Sequence, residues 1–271
     1  MATRTARSLR HEYELYVEQE IENYKESIPR SAILAIGDEA AAKLASEAQF
    51  VLTELLLLEE VDRIIFRRLR LPKYETWRKK RLKLQQEMRR PEHWGLSRND
   101  ALVRTIGGAV DRGGSAGHVL VAGDIAERSA LFLAANGCDV TALEAEEESV
   151  QRVMEAAIQA GLAERVHAVA GELTQWTPDG PLQVVVCSHA ALDSLSPRER
   201  AEVLAVLQSA TTDGGVHLVE TILAGAGAID ELRATYRGWT ISVEPGRGDG
   251  RGGDGQVFLA RKERAEHSVS H

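Results

Sequence analysis

VLVAGDIAERSALFLAANGCDVTALEA, residues 119–145, is the stretch that decides the fold. Val119 to Ala122 is a short apolar run that ends in Gly123. Ala130, Leu131, Leu133 and Ala134 then recur at helical spacing until Asn136-Gly137 stops the helix. Val140 to Leu143 is a second apolar run, and it ends on Glu144. A buried parallel strand, a crossover helix and a second buried strand produce this pattern. Glu144 falls about 20 residues after the first turn, where a doubly wound fold places the group that hydrogen-bonds a ribose hydroxyl.

Downstream the alternation continues. Glu147 to Ala160 reads as a helix stopped by Gly161, and Val166 to Ala170 as a third strand ending at Gly171-Glu172-Leu173. Leu182 to Cys187 is a continuous apolar run, as expected of a central strand. Ser196 caps a helix with Pro197 at its first position, running to about Ala210. Asp213-Gly214-Gly215 turns into a fifth strand, Val216 to Thr221, and Ala228 to Arg237 reads as a helix. Trp239 to Val243 and Gln256 to Ala260 read as a hairpin joined by the glycine-rich Pro245 to Gly255. Strands alternating with helices imply a parallel sheet covered on its faces.

Upstream, Leu9 to about Arg90 reads as helical throughout. The first helix carries Tyr13, Tyr16, Ile21 and Tyr24 and is broken around Pro29. Ser31 is the expected N-cap of a short helix through Ile36, with Gly37-Asp38 as a break or cap before Glu39. Leu52, Leu55, Leu56, Glu59, Ile64, Ile65 and Leu69 then form the apolar stripe of a long helix that Pro72 ends. Lys73 to Arg90 is a basic helix, Pro91 to Trp94 closes the region, and Leu96 to Val110 is one more helix. Charge is polarised: Glu12, Glu14, Glu18, Glu20, Glu22 and Glu26 make the first helix acidic, whereas residues 63–90 are basic. Either the two pair with each other, or the basic segment meets an anionic partner such as RNA. Tyr74 and Trp77 within it are either a stacking platform or buried anchors.

The formal charge of −8 argues against nucleic acid as a partner of the whole surface. Cys138 and Cys187 make neither a disulfide framework nor a metal cluster, so no metal is expected. The N-terminal residues lack an apolar signal region, and Leu55 to Leu58 is too short to span a bilayer, so a cytoplasmic protein with no membrane partner is expected. The expected organisation is a helical N-terminal domain over residues 1–110, an α/β domain over 111–262 and a loose tail over 263–271.

The segment from Val119 to Glu144 resembles motif I and the following acidic strand end of the class I S-adenosylmethionine (SAM)-dependent methyltransferases. The wording from Ala130 to Gly137, followed by Asp139-Val140-Thr141-Ala142, is similar to the tellurite-resistance-type and related small-molecule methyltransferases. The Asp213-Gly214-Gly215 turn and the terminal hairpin resemble the same family, and the resemblance extends from Val119 to about Ile222. The chain departs from the family's pattern at Val121, where an acidic residue is expected, and at Ile125 and Glu127, where glycines are expected.

This resemblance implies a Rossmann-like, doubly wound, mostly parallel sheet with a C-terminal antiparallel hairpin, and SAM as cofactor. It implies that Ala122, Gly123, Asp124 and Ile125 hold the amino-acid part of SAM. Glu144, beside Ala145, would take the ribose hydroxyls. Gly171, Glu172 and Leu173 would meet the adenine. Ser188, His189 and Ala190 would flank the methyl donor, with His189 as the candidate catalytic base. The expected partner is a small-molecule methyl acceptor, with the N-terminal helices serving as lid, substrate wall or homodimer surface. Two alternatives stand beside this reading. One is an inactive methyltransferase-like scaffold or ligand sensor, motivated by Ile125 and Glu127. The other is an RNA methyltransferase that uses the basic segment.

Overall fold

A computed structural model describes residues 8–46, 54–110, 117–123, 125–188, 191–192, 194–221, 226–245 and 256–263. The chain divides into two compact units, Met1–Leu84 and Gln85–His271.

The first unit is helical: α1 (Leu9–Ser27), α2 (Arg30–Ser46), α3 (Glu54–Arg68) and α4 (Tyr74–Met88), the last reaching beyond residue 84. Ser8 caps α1, its hydroxyl accepting from the His11 amide. Ile21, Ile36, Ala40, Val61, Ile64 and Ile65 form the core. Three expectations fail here. The expected break at Gly37 is absent, and α2 runs on from Arg30 with no cap at Ser31; tertiary packing of Ile36 and Ala40 outweighs the modest helix penalty of one glycine. The stripe of α3 is also shifted. Leu55 and Leu58 are exposed, while Glu60 and Val61 are buried. Leu52 lies outside the described residues.

Tyr74 and Trp77 are anchors of α4 on α1. Tyr13 meets Tyr74 edge-on at 5.4 Å, Tyr16 stacks on Trp77 at 6.0 Å, and the Tyr13 hydroxyl donates to the Pro72 carbonyl at 3.0 Å. Between the acidic and basic helices, Arg81 pairs with Glu12 at 3.2 Å.

The second unit opens with a 3-10 turn (Pro91–Trp94) and α5 (Ala101–Val110), which is shorter than the sequence suggested because residues 96–100 are turns capped by Asp100, whose carboxylate accepts from the Leu102 amide. There follow β1 (His118–Ala122), α6 (Ala126–Ala135), β2 (Asp139–Glu144), α7 (Glu147–Ala160), β3 (Val166–Ala170), β4 (Leu182–Ser188), α8 (Pro197–Ala210), β5 (Thr211–Thr221), α9 (Ala226–Thr235), β6 (Trp239–Pro245) and β7 (Gln256–Lys262). The sheet order is β3-β2-β1-β4-β5-β7-β6, parallel throughout except for β7, which runs antiparallel to both neighbours.

Each central strand is buried on both faces. Val119 and Val121 face a core shared with α5, α6 and α7, while Leu120 and Ala122 face one shared with α8 and α9. Helices on both faces and the reversed β7 make this the expected Rossmann-like, doubly wound sheet. The expected N-cap at Ser196 is present as a full capping box with Glu199. The Asp213-Gly214-Gly215 turn is absorbed into β5 as an irregularity opposite Gln183, and a Cβ at Gly215 would lie 2.5 Å from Thr211 Cγ2.

Candidate active site

In the strand order, β1 and β4 are neighbours from which the sheet grows in opposite directions. Their carboxyl ends therefore flank the switch point, the place where such sheets hold ligands. Gly123 ends β1 with φ +94°, a conformation that favours glycine. A Cβ there would also lie 2.1 Å from Ser188 Oγ and 3.1 Å from the Ala191 side chain. Gly123 thus lets the ends of β1 and β4 close on each other. Ser188 is buried, and its hydroxyl accepts from the Ala191 amide at 3.3 Å, which ties Ala191 to the end of β4.

Backbone bonds link the other strand ends to this point. The Gly123 amide donates to the Leu143 carbonyl at 3.1 Å, and the Gly171 amide to the Glu144 carbonyl at 2.8 Å. Residues from β1, β2, β3 and β4 are thereby brought to one edge of the sheet. Glu144 is the buried acid among them, 8% exposed, whereas Ala145 beside it is exposed. Glu172 is exposed, and Leu173 is buried against Leu143 in the core beneath α8 and α9. Ala122 is buried, and Gly171 is partly so. Asp124, His189 and Ala190 lie outside the described residues.

The two glycine departures have a local explanation. Ile125 takes ordinary right-handed backbone angles, φ −91° and ψ −3°, so nothing in its dihedrals calls for glycine. Its side chain packs against the core cluster that includes Ala126 and Ala130. Glu127 is exposed in the first turn of α6, where a negative charge is favoured by the helix dipole.

The sequence reading missed the residues that shape the turn after β3. The Gln175 and Trp176 amides both donate to the Glu172 carbonyl, and the Thr174 hydroxyl donates to the Glu172 carboxylate at 3.3 Å. A threonine two residues after an acid is the available signal for such a turn. Trp176 packs against the core beside Leu173.

No protein-family model matches the sequence, and no curated protein matches it. Solved structures do. The glycopeptide N-methyltransferase MtfA, complexed with S-adenosyl-L-homocysteine, is 17% identical, over 60% of this chain and 90% of its own, with a TM-score of 0.48. TehB from Haemophilus influenzae is 16% identical over 58% of this chain and 61% of its own, with a TM-score of 0.45. A 1,6-didemethyltoxoflavin-N1-methyltransferase from Burkholderia thailandensis is 19% identical over 61% and 80%, with a TM-score of 0.46. The fold itself rests on this chain's own strand order.

Proposed function

We propose that the second unit binds SAM and transfers its methyl group to a small-molecule acceptor. The observation that carries this reading is Glu144, a buried carboxylate at the end of β2, one strand from the switch point. A carboxylate accepts two hydrogen bonds at once, which suits a pair of ribose hydroxyls, and burial strengthens such bonds. Gly123 leads the chain from β1 toward the N-terminus of α6, whose first-turn amides favour an anionic group such as an amino-acid carboxylate. Asp124 is assigned the ammonium of the same amino acid. Glu172 is assigned the adenine amine and Leu173 the ring. When bound, SAM supplies a methyl group activated by its sulfonium. The protein's own task is then alignment and exclusion of water, which can account for much of such a reaction without a base. His189, next in the chain after Ser188, is assigned as the group that removes a proton from an acceptor hydroxyl or amine.

Ile125 adopts backbone angles and packing that do not require glycine, which supports this reading over the inactive scaffold. The test is calorimetric titration with SAM and with S-adenosylhomocysteine, on the wild type and on Glu144→Gln, which keeps the shape and removes the charge. Micromolar binding is expected. Glu144→Gln should weaken it by about 1.5–3 kcal/mol, the worth of a hydrogen bond to a charged group. Absence of binding at millimolar ligand by the folded wild type would overturn the reading.

A further inference from the structure

We propose that the outward face of α4, with the corner joining α3 to α4, docks the phosphate backbone of a nucleic acid. Between Arg63 and Arg90 the chain carries twelve basic side chains and two acidic ones, Glu75 and Glu87. Some of this charge is used within the fold: Arg63 pairs with Glu60, Arg68 with Glu39 and Arg81 with Glu12. Arg78 reaches Glu75 only at 4.0 Å, and both are exposed. Arg67, Arg70, Lys73, Lys79 and Lys80 are exposed as well.

The helix geometry separates two faces. Tyr74, Trp77 and Arg81 recur at helical spacing and face α1, through the aromatic contacts and the Glu12 pair. Lys79 and Lys83 therefore project from the opposite side, one turn apart, with Arg78 and Lys80 flanking them. From Lys73 to Lys83 the row is about 15 Å long, enough to follow several phosphates of one strand. The net charge of the chain does not cancel it, because the Debye length at physiological salt is about 8 Å and distant acids are screened.

The occupant is a phosphate chain rather than a lipid surface. A helix lying in a membrane interface needs a broad apolar face beside its basic one. In α4 the aromatic residues are spent on α1, and the outward side offers Leu82 and Leu84, 36% and 40% exposed. The same packing removes Tyr74 and Trp77 as stacking platforms. Contact is therefore to the backbone, without base preference.

The test uses the full chain without SAM, so it stands or falls apart from the methyltransferase reading. Anisotropy of a labelled oligouridylate is titrated from about 50 mM to about 200 mM salt, where phosphate contacts dominate. Binding that weakens with salt is expected. In the double variant Lys79→Ala/Lys80→Ala the slope of log K against log salt should shrink by about 1.4, or 0.7 for each single-strand phosphate that is no longer neutralised. Circular dichroism confirms that the variant is folded, and Lys79→Glu alone should weaken binding further than Lys79→Ala. No binding at the lowest salt, or binding with a slope that the double variant leaves unchanged, would overturn the proposal. So would binding to phosphatidylserine vesicles but not to the oligonucleotide.

Discussion

Glu60 in the first unit and His217 in the second are both buried, and they are handled in opposite ways. Glu60 in α3 is 1% exposed and kept charged: Lys43 and Arg63 both donate to it, and the Lys43 bond is the main reason its carboxyl titrates below the usual range. His217 in β5 is fully buried and kept neutral. The Thr211 hydroxyl donates to the Leu207 carbonyl at 2.6 Å, so at 2.7 Å from His217 Nε2 it must accept. Nδ1 then accepts from the Tyr236 hydroxyl at 2.7 Å, and every polar atom is satisfied without a proton to spare. Burial, with the Lys262 charge adding to it, pushes the His217 pKa down to about 3. A layer of charged helices can bridge a buried charge with long cations whose ends reach water. A sheet core closed by Tyr236, Trp239 and Phe258 has room for a base only if it is neutral.

The largest effect that would break this comparison is in acid. His217 has its pKa lowered on folding, so the unfolded chain takes up its proton first, from about 6.5 downward. Its contribution is whole above that pH and is lost as pH falls toward about 3, at about 1.4 kcal/mol per pH unit. Urea unfolding followed at pH 7, 6, 5 and 4 should show this slope, and His217→Phe should flatten it whatever its cost at neutral pH. Tyr236→Phe leaves Nδ1 unsatisfied and should cost about 1–3 kcal/mol at pH 7.

Glu60 behaves differently, and this sharpens the contrast. Its pKa is also lowered on folding, but its contribution is present above the ordinary carboxylate value of 4.5 and disappears only below it. At about pH 5.5, hydrogen exchange should therefore quicken in β5 peptides while α3 peptides keep their protection; equal quickening in both would defeat the distinction. Glu60→Gln should cost about 1–2 kcal/mol at neutral pH. The smallest effect is Arg81→Ala: its pair with Glu12 is partly exposed, so thermal unfolding should register less than about 1 kcal/mol.

The sheet was legible because its central strands are buried on both faces. Runs such as Leu182 to Cys187 are continuous, and Gly123, Asn136-Gly137 and Gly161 punctuate them sharply. The helical unit was legible in outline but not in phase. Leu55, Leu56, Leu57 and Leu58 offer two apolar faces, and only contact with Ile21 and Ile36 decides that Glu60 and Val61 go inward. The strand-end residues Gly123, Glu144 and Ser188 could be named from spacing. The closure of Gly123 on Ser188 could not, because it joins residues 65 positions apart through the pairing of β1 with β4. The His217 cluster was not legible either: Thr211, at the start of β5, and Tyr236, just after α9, reach His217 only when the helices pack on the sheet.

The sheet order has a consequence for how the chain is made. β7 follows β6 in the sequence yet lies between β5 and β6. During synthesis the helical unit emerges before the sheet and can fold early. β6, by contrast, leaves the ribosome with no strand to pair with, and β5 waits with a bare edge, until Gln256–Lys262 arrives and joins both at once. Nascent chains halted before Gln256 would therefore expose the bare edge of β5 and an unpaired β6, the form in which this protein is most open to aggregation and to capture by chaperones.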